Sequence, residues 1–268
     1  MSDDPFAALK ERQRDMWASF TPTAMFTTPI AAHLVAFAAI APGESVLDVG
    51  TGTGVVAVTA ARAGARVTGL DLTPALLDQA HDNSRIAGLD ISWTEGDAEA
   101  LPYPDASFDV VLSQFGHMFA PRPDVTIAEM RRVLKPGGRI AFATWPPEHF
   151  VGKMFMFVGR NSPPLPPGAS PPVQWGIPAL VTERLAPHFG APFFERGSML
   201  FPALSLAHYR QFMERSVGPM QKLVEGLAND PAKLAAVRQE FEAIAALHYR
   251  DNVVSSDYLF TRATTLSA

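Results

Sequence analysis

Gly50, Gly52 and Gly54 alternate with Thr51 and Thr53 directly after the apolar run Ser45 to Val49. In a strand–turn–helix unit, such a turn lets a ligand approach the backbone without meeting Cβ atoms, and it exposes the N–H groups of the following helix. Its spacing separates two ligand classes. A dinucleotide fingerprint G-x-G-x-x-G needs glycine at position 55, where this chain has Val55, while glycine falls at Gly54. About twenty residues further on, Asp71 ends a second apolar run, where a carboxylate accepts hydrogen bonds from both ribose hydroxyls of an adenosine. Its competing role, capping the next helix, is already offered by Thr73. A third apolar run ends in Gly96-Asp97-Ala98, a carboxylate and an N–H suited to the amino group and ring nitrogens of adenine. Taken alone, that triplet reads equally well as an ordinary Asx turn.

These positions need strands ending at one edge of a sheet, and the pattern supplies them. From Ser45 to Trp145 short β-rich runs alternate with helical stretches, as in βαβ units around a parallel sheet. Strands are expected at Ser45–Val49, Arg66–Leu70, Ile91–Glu95, Phe108–Leu112 and Arg139–Thr144. The glycine turn leads into a helix to about Ala63. Thr73-Pro74 opens another, with Thr73 as N-cap and proline in the first turn. Pro123–Leu134 reads as a helix closed by Lys135-Pro136-Gly137-Gly138. Beyond Trp145, the proline-rich segment Ser162–Pro172 is expected to be an ordered surface loop. Helices follow at Pro178–His188, Leu206–Leu227 and Pro231–His248, and a final strand at Val253–Arg262. The stretch Ile30–Ala41 reads as a buried helix, too short to span a bilayer.

The words VLDVGTGTG (Val46–Gly54), GLDLT (Gly69–Thr73), GDAEALPYPDASFDVV (Gly96–Val111) and RRVLKPGGRIAFATW (Arg131–Trp145) stand in this order over about a hundred residues. With them the chain resembles the class I S-adenosylmethionine-dependent methyltransferases, of the ubiquinone/menaquinone-biosynthesis type. A looser resemblance, to a largely uncharacterised bacterial subgroup, runs through Gln114-Phe115-Gly116, Met118-Phe119, the stretch from Trp145, the PPLPPGASPP loop and Tyr258-Leu259. The resemblance implies an α/β fold: a Rossmann-like, seven-stranded, mostly parallel sheet with helices on both faces, an antiparallel last strand and helical insertions after strands 5 and 6. It also implies a single domain, with an N-terminal helical cap (1–44), a cofactor-binding core (45–145), insertions forming an acceptor pocket or lid (146–250) and a closing strand (251–268).

Carried over position by position, the resemblance implies that Asp48, Gly50, Gly52 and Gly54 form the turn beneath the methionine part of S-adenosylmethionine. Asp71 would hold the ribose, Leu72 would pack beside adenine, Asp97 would accept from its amino group and Ala98 would donate its N–H. Ser113 and Gln114 would border the methyl group. The product cofactor would be S-adenosylhomocysteine and the acceptor a small, partly apolar molecule. Two rival readings remain: a non-catalytic protein that binds the same cofactor, and a nicotinamide oxidoreductase disfavoured by Val55.

Methyl transfer from a sulfonium is an in-line displacement that needs alignment more than acid–base chemistry. If a base acts, His117 is the candidate, since it follows the fourth strand and imidazole titrates near neutrality; packing on an apolar loop is its other reading. The remaining histidines lack ligand spacing and no catalytic metal is expected. Trp17, Phe20 and Phe26 are expected to fold over the cofactor or to pack on the sheet edge. Phe150, Met154, Phe155, Phe157, Trp175, Tyr209, Phe212 and Met213 divide between acceptor pocket and core.

Composition limits the partners. A net charge of -5 among 268 residues argues against nucleic-acid binding. The basic group Arg131, Arg132 and Lys135 sits where a helix C-terminus favours cations. Cysteine is absent, so thiolate chemistry is excluded. The opening MSDDPFAALKERQRD carries no signal-peptide pattern, which makes a cytoplasmic location the expectation. Oligomeric state has no sequence signature.

Overall fold

The computed structural model describes residues 4–266, so the ends of the expected cap (1–3) and of the closing segment (267–268) lie outside the described residues. Two helices, α1 (Ala7–Trp17) and α2 (Thr21–Phe37), precede β1 (Ser45–Val49), α3 (Val55–Arg62), β2 (Arg66–Asp71), α4 (Pro74–Ala87) and β3 (Ser92–Glu95). Then come β4 (Phe108–Gln114), a single turn of 3-10 helix at His117–Phe119, α5 (Pro123–Val133) and β5 (Leu134–Thr144). The distal part contains α6 (Phe150–Arg160), α7 (Pro178–Leu185), β6 (Phe193–Pro202), α8 (Leu206–Ser216), α9 (Gly218–Gly226), α10 (Pro231–Ala246), β7 (Tyr249–Arg250) and β8 (Val253–Thr264).

The sheet runs β3-β2-β1-β4-β5-β8-β6, with β7 paired to β8. Strands β1 to β5 are mutually parallel, and β8 lies antiparallel between β5 and β6. The central strands are apolar along nearly their whole length because helices cover both faces, so β1 and β4 bury Val46, Leu47, Val49, Val110, Val111 and Leu112. Helix α2 supplies part of that cover through Ile30 and Leu34. Arg139 on β5 ties it down, donating to Ala38 O and Ala39 O beyond its C-terminus and pairing in bidentate fashion with Glu44.

The expected seven-stranded sheet gains an eighth, two-residue member in β7. Three further differences have local causes. Strand β6 had no counterpart in the reading because it is a largely exposed edge strand without apolar alternation. The single helix expected over Leu206–Leu227 is two, broken at Val217, where the ring of Pro219 excludes helical continuity. Strand β5 begins at Leu134, five residues early; Gly137, at φ 75°, absorbs a register irregularity and does not terminate the strand beforehand. Helix α6 was also unassigned, although Phe150, Val151, Met154 and Phe157 follow helical spacing and are all buried. The proline-rich segment is irregular, as expected, and leads into a short 3-10 turn at Pro172–Gly176. Among the described residues no helix is long and apolar enough to cross a membrane.

At the carboxyl edge of the sheet, the turns after β1 and β4 touch through glycines. A Cβ on Gly116 would lie 2.5 Å from Gly50 O, and one on Gly50 would lie 2.8 Å from Gly116 Cα. Both obstacles are backbone, which cannot rotate away. Gly116→Ala is expected to destabilise the fold by about 1–3 kcal/mol through overpacking, read as a lowered urea midpoint at unchanged slope; an unaltered midpoint would show that these turns yield.

Candidate functional site

A cavity of about 200 Å³ opens along this edge, between the turns after β1, β2, β3 and β4 on one side and α1, α2, α6 and α8 on the other. Its floor is the glycine turn. Gly50, Gly52 and Gly54 all adopt positive φ (65°, 55° and 80°), and the space where a Cβ of Gly52 would lie is open. Gly54 is the residue directly before α3, and this helix aims its first N–H groups at the turn.

Asp48 lies beneath the turn. Its Oδ2 accepts from Thr51 Oγ1 at 2.5 Å, whereas its Oδ1 is buried with no partner. Burial raises its pKa to about 7. Asp48 thus places a buried carboxylate directly beneath the turn that floors the cavity. Asp71 ends β2 with both oxygens already engaged on the protein side: Oδ2 accepts from Gly52 N–H at 2.7 Å and Oδ1 from Thr73 N–H at 2.9 Å. Burial raises its pKa too. Thr73 stands at the expected N-cap position of α4, but its side chain makes no capping bond, and its own N–H donates to Asp71. A carboxylate retains further lone pairs, so Asp71 braces the turn and still presents acceptors to the cavity.

Leu72 and Ala98 line the cavity at the expected place. Asp97 is more heavily committed than its motif suggests. Its Oδ1 accepts from Glu99 N–H, and its Oδ2 accepts from Lys10 Nζ at 2.6 Å. Lys10, on α1, also reaches Asp4 at 2.7 Å and Glu99 at 2.6 Å, and Arg122 completes the group on Glu99. The three carboxylates Asp4, Asp97 and Glu99 have the mutual spacing of metal ligands, but the Lys10 ammonium occupies their centre. Lys10 escaped sequence reasoning because a lone lysine on an N-terminal helix carries no signal beyond a solvated face.

The two residues expected near the methyl group part company. Ser113 is fully buried behind the wall, donating to Val49 O at 2.6 Å and accepting from His117 N–H at 3.0 Å, so its hydroxyl pins β4 to the glycine turn. Gln114 is on the wall, its Nε2 donating to Thr27 O at 3.0 Å. Beside it Phe115 adopts φ 63°, strained for a bulky residue, and stacks on Trp145 with ring centroids 3.9 Å apart.

His117 does not meet the requirements of a base. Its imidazole is 1% exposed, each centroid separation to Phe142 and Trp175 is 4.6 Å, and neither ring nitrogen has a partner. Burial, with a smaller contribution from the Arg184 charge, pushes its pKa down to about 3. Such a ring is neutral at physiological pH yet a poor proton acceptor. Of the aromatics, Trp17 and Phe20 line the cavity, while Phe26 packs against Phe201 and Phe212. Met154, Phe155 and Met213 reach the cavity; Phe150, Phe157, Trp175 and Tyr209 are core. The basic group at the end of α5 and the start of β5 is also structural: Arg132 binds Glu129, Asp105 and two carbonyls, and Lys135 binds Asp109.

Residues 47–142 match the family model described as a methyltransferase domain. An uncharacterised protein of Mycobacterium tuberculosis is 35% identical over 254 residues, covering 93% of each chain. A demethylmenaquinone methyltransferase of Deinococcus radiodurans is 46% identical over 106 residues, 38% of this chain and 43% of that one. Among solved structures, the YcgJ protein of Bacillus subtilis superposes with TM-score 0.59 at 18% identity, covering 89% of this chain and 98% of that one. The [4+2]-cyclase SpnF does so with TM-score 0.54 at 23% identity, covering 90% and 81%. The family match and the demethylmenaquinone methyltransferase relative set the nicotinamide alternative aside. The chain belongs to the class I S-adenosylmethionine-dependent methyltransferases, and S-adenosylmethionine is its cofactor.

Proposed function

We propose that the protein transfers a methyl group to a small, partly apolar molecule held in the half of the cavity beyond Gln114. The observation that carries this reading is the distribution of charge along the wall. Among the described lining residues the titratable side chains are Lys10, Asp48, Asp71, Asp97 and His117. The first four belong to the cofactor half and the last is sealed from use. Toward α6 and α8 the wall consists of residues such as Trp145, Val151, Met154, Met199, Phe201 and Met213.

When bound, S-adenosylmethionine supplies an electrophilic methyl group on a sulfonium. The chain's part is then mainly alignment, which in well-oriented systems supplies roughly 7–11 kcal/mol. In this reading the methionine ammonium lies over the turn of Gly50, Gly52 and Gly54, and the Asp48 carboxylate beneath the turn attracts it through space. Asp71 holds the ribose hydroxyls, Leu72 packs against adenine and the Ala98 N–H meets a ring nitrogen. The adenine amino group shares Asp97 with Lys10, and Gln114 borders the methyl group. Trp17 and Phe20 exclude water from above. The acceptor is taken up uncharged at its reacting end, with His117 acting as a packing residue and not as a base.

Three outcomes follow from these assignments. Asp71→Ala is expected to weaken S-adenosylhomocysteine binding by about 1.5–3 kcal/mol, measured by calorimetry; unchanged affinity would remove its ribose role. A cation beside Asp48 lowers that residue's pKa from about 7, so binding at neutral pH should release a fraction of a proton. This appears as a buffer-dependent heat that vanishes well above pH 7 and in Asp48→Asn; the same buffer dependence in the variant would reject the coupling between the ammonium and Asp48. For His117, the folded pKa of about 3 lies below the ordinary 6.5. The unfolded chain therefore binds the extra proton, and stability is full above pH 6.5 and lost as pH falls toward 3. His117→Phe should flatten that acid slope in urea titrations and keep methyl transfer to the true acceptor; lost turnover with intact cofactor binding would restore the base assignment.

A further inference from the structure

At the adenosine end of the cavity one cation has its whole hydrogen-bonding capacity spent. A lysine ammonium has three donors and no acceptor. Lys10 commits one to each of Asp4 Oδ2 at 2.7 Å, Asp97 Oδ2 at 2.6 Å and Glu99 Oε2 at 2.6 Å. Glu99 is fixed in turn by the Arg122 N–H and guanidinium. Such charge-assisted bonds are short and strong, so the ammonium is a rigid anchor.

Within this group Asp97 is the carboxylate that meets the ligand space. It lines the cavity beside Gly96 and Ala98, and its side chain keeps 26% exposure where that of Glu99 keeps 1%. Its two oxygens are held from different elements. Glu99 N–H, two residues on, holds Oδ1 at 2.9 Å, and Lys10 reaches Oδ2 from α1. The local bond fixes one oxygen; the bond from α1 fixes the plane of the group. Each oxygen accepts more than one hydrogen bond, so capacity remains for a ligand donor. A ligand carbonyl placed there would face acceptors alone and lose its own hydrogen bonds to water.

We propose that Lys10 is a positioning residue for the cofactor, orienting the Asp97 carboxylate so that the cavity admits a 6-amino purine and rejects a 6-oxo purine. The inference rests on the reading of this end of the cavity as the adenine site. It makes α1 part of base recognition without any contact between Lys10 and the base.

The test compares S-adenosylhomocysteine with its 6-oxo counterpart, S-inosylhomocysteine, by calorimetry. Failure of the wild-type protein to bind either ligand would sink the reading of the cavity as the cofactor site. Equal binding of the two would remove the adenine contact of Asp97, and the role of Lys10 with it. The wild type is expected to prefer the adenosyl ligand by about tenfold or more, the worth of one hydrogen bond to a charged group. In Lys10→Met, checked for folding by circular dichroism, the preference should fall to about threefold or less, since only the adenosyl ligand draws on an oriented Asp97. A lysine that merely fastens α1 would weaken both ligands alike, so a preserved ratio overturns the proposal. Arg14→Met cuts the other ion pair of α1, to Glu95, and should keep the wild-type ratio. A ratio lost there as well would assign the effect to the helix as a whole and overturn the role of Lys10. Should Lys10→Met not fold, Lys10→Arg decides. A planar guanidinium cannot bring one nitrogen to the point where three carboxylates meet, so the preference should fall there too, and an unchanged ratio overturns the proposal.

Discussion

Two backbones that approach more closely than any side chain permits hold the cofactor edge together. The contact between Gly50 and Gly116 brings the turn after β1 against the turn after β4, and it fixes where everything else can stand. Ser113 reinforces it from behind, bonding at once to Val49 O and to His117 N–H. Because β1 and β4 are neighbours in a parallel sheet, both turns emerge at the same carboxyl edge, where open α/β sheets bind their ligands. Moving either backbone would displace Asp48 and Gln114 together, so the two halves of the cavity share one mechanical reference.

From that reference the chemistry divides by polarity. The half nearer β2 and β3 gathers carboxylates, and burial makes two of them, Asp48 and Asp71, harder to ionise than free aspartates. Such groups are held ready for a ligand that carries its own positive charge and hydroxyl donors, since the protein leaves part of their bonding capacity unspent. The other half is lined by aromatic and sulfur-containing side chains that adapt to shape and offer little else.

Much of this was legible because the core obeys local rules. Val46–Val49 and Val110–Leu112 announce buried strands, and Gly54 followed by Val55 distinguishes the cofactor class before any coordinate is known. Legibility fails where tertiary context decides. Strand β6 is readable only as the neighbour of β8, because its exposed face erases alternation. Pro219 signalled the break between α8 and α9, yet the flanking apolar spacing concealed it. His117 looked reactive by residue type, whereas its protonation is set by Phe142 and Trp175, residues 25 and 58 positions away in the chain. Thr73 stands at the N-cap as its identity suggested, yet its side chain makes no capping bond, and its N–H donates to Asp71. Lys10 and Asp97 are 87 positions apart, and no spacing rule joins them.

Helix α1 is fastened unlike the rest of the molecule. Lys10 is its one buried side chain; besides Trp17 against Phe119 and Met16 against Gly218, its ties to the rest of the molecule are polar: Lys10 on Asp97 and Glu99, Arg14 on Glu95 and Gln13 on Phe119 O. The sheet beneath is held by apolar area, which dissolved ions barely touch; the exposed Arg14–Glu95 pair weakens as counterions screen it, while the buried Lys10–Glu99 pair is screened much less. Ionic strength thus reaches only the outer hinge of the doorway: in brine the Arg14 corner of the helix loosens, while its Lys10 end and the walls stand.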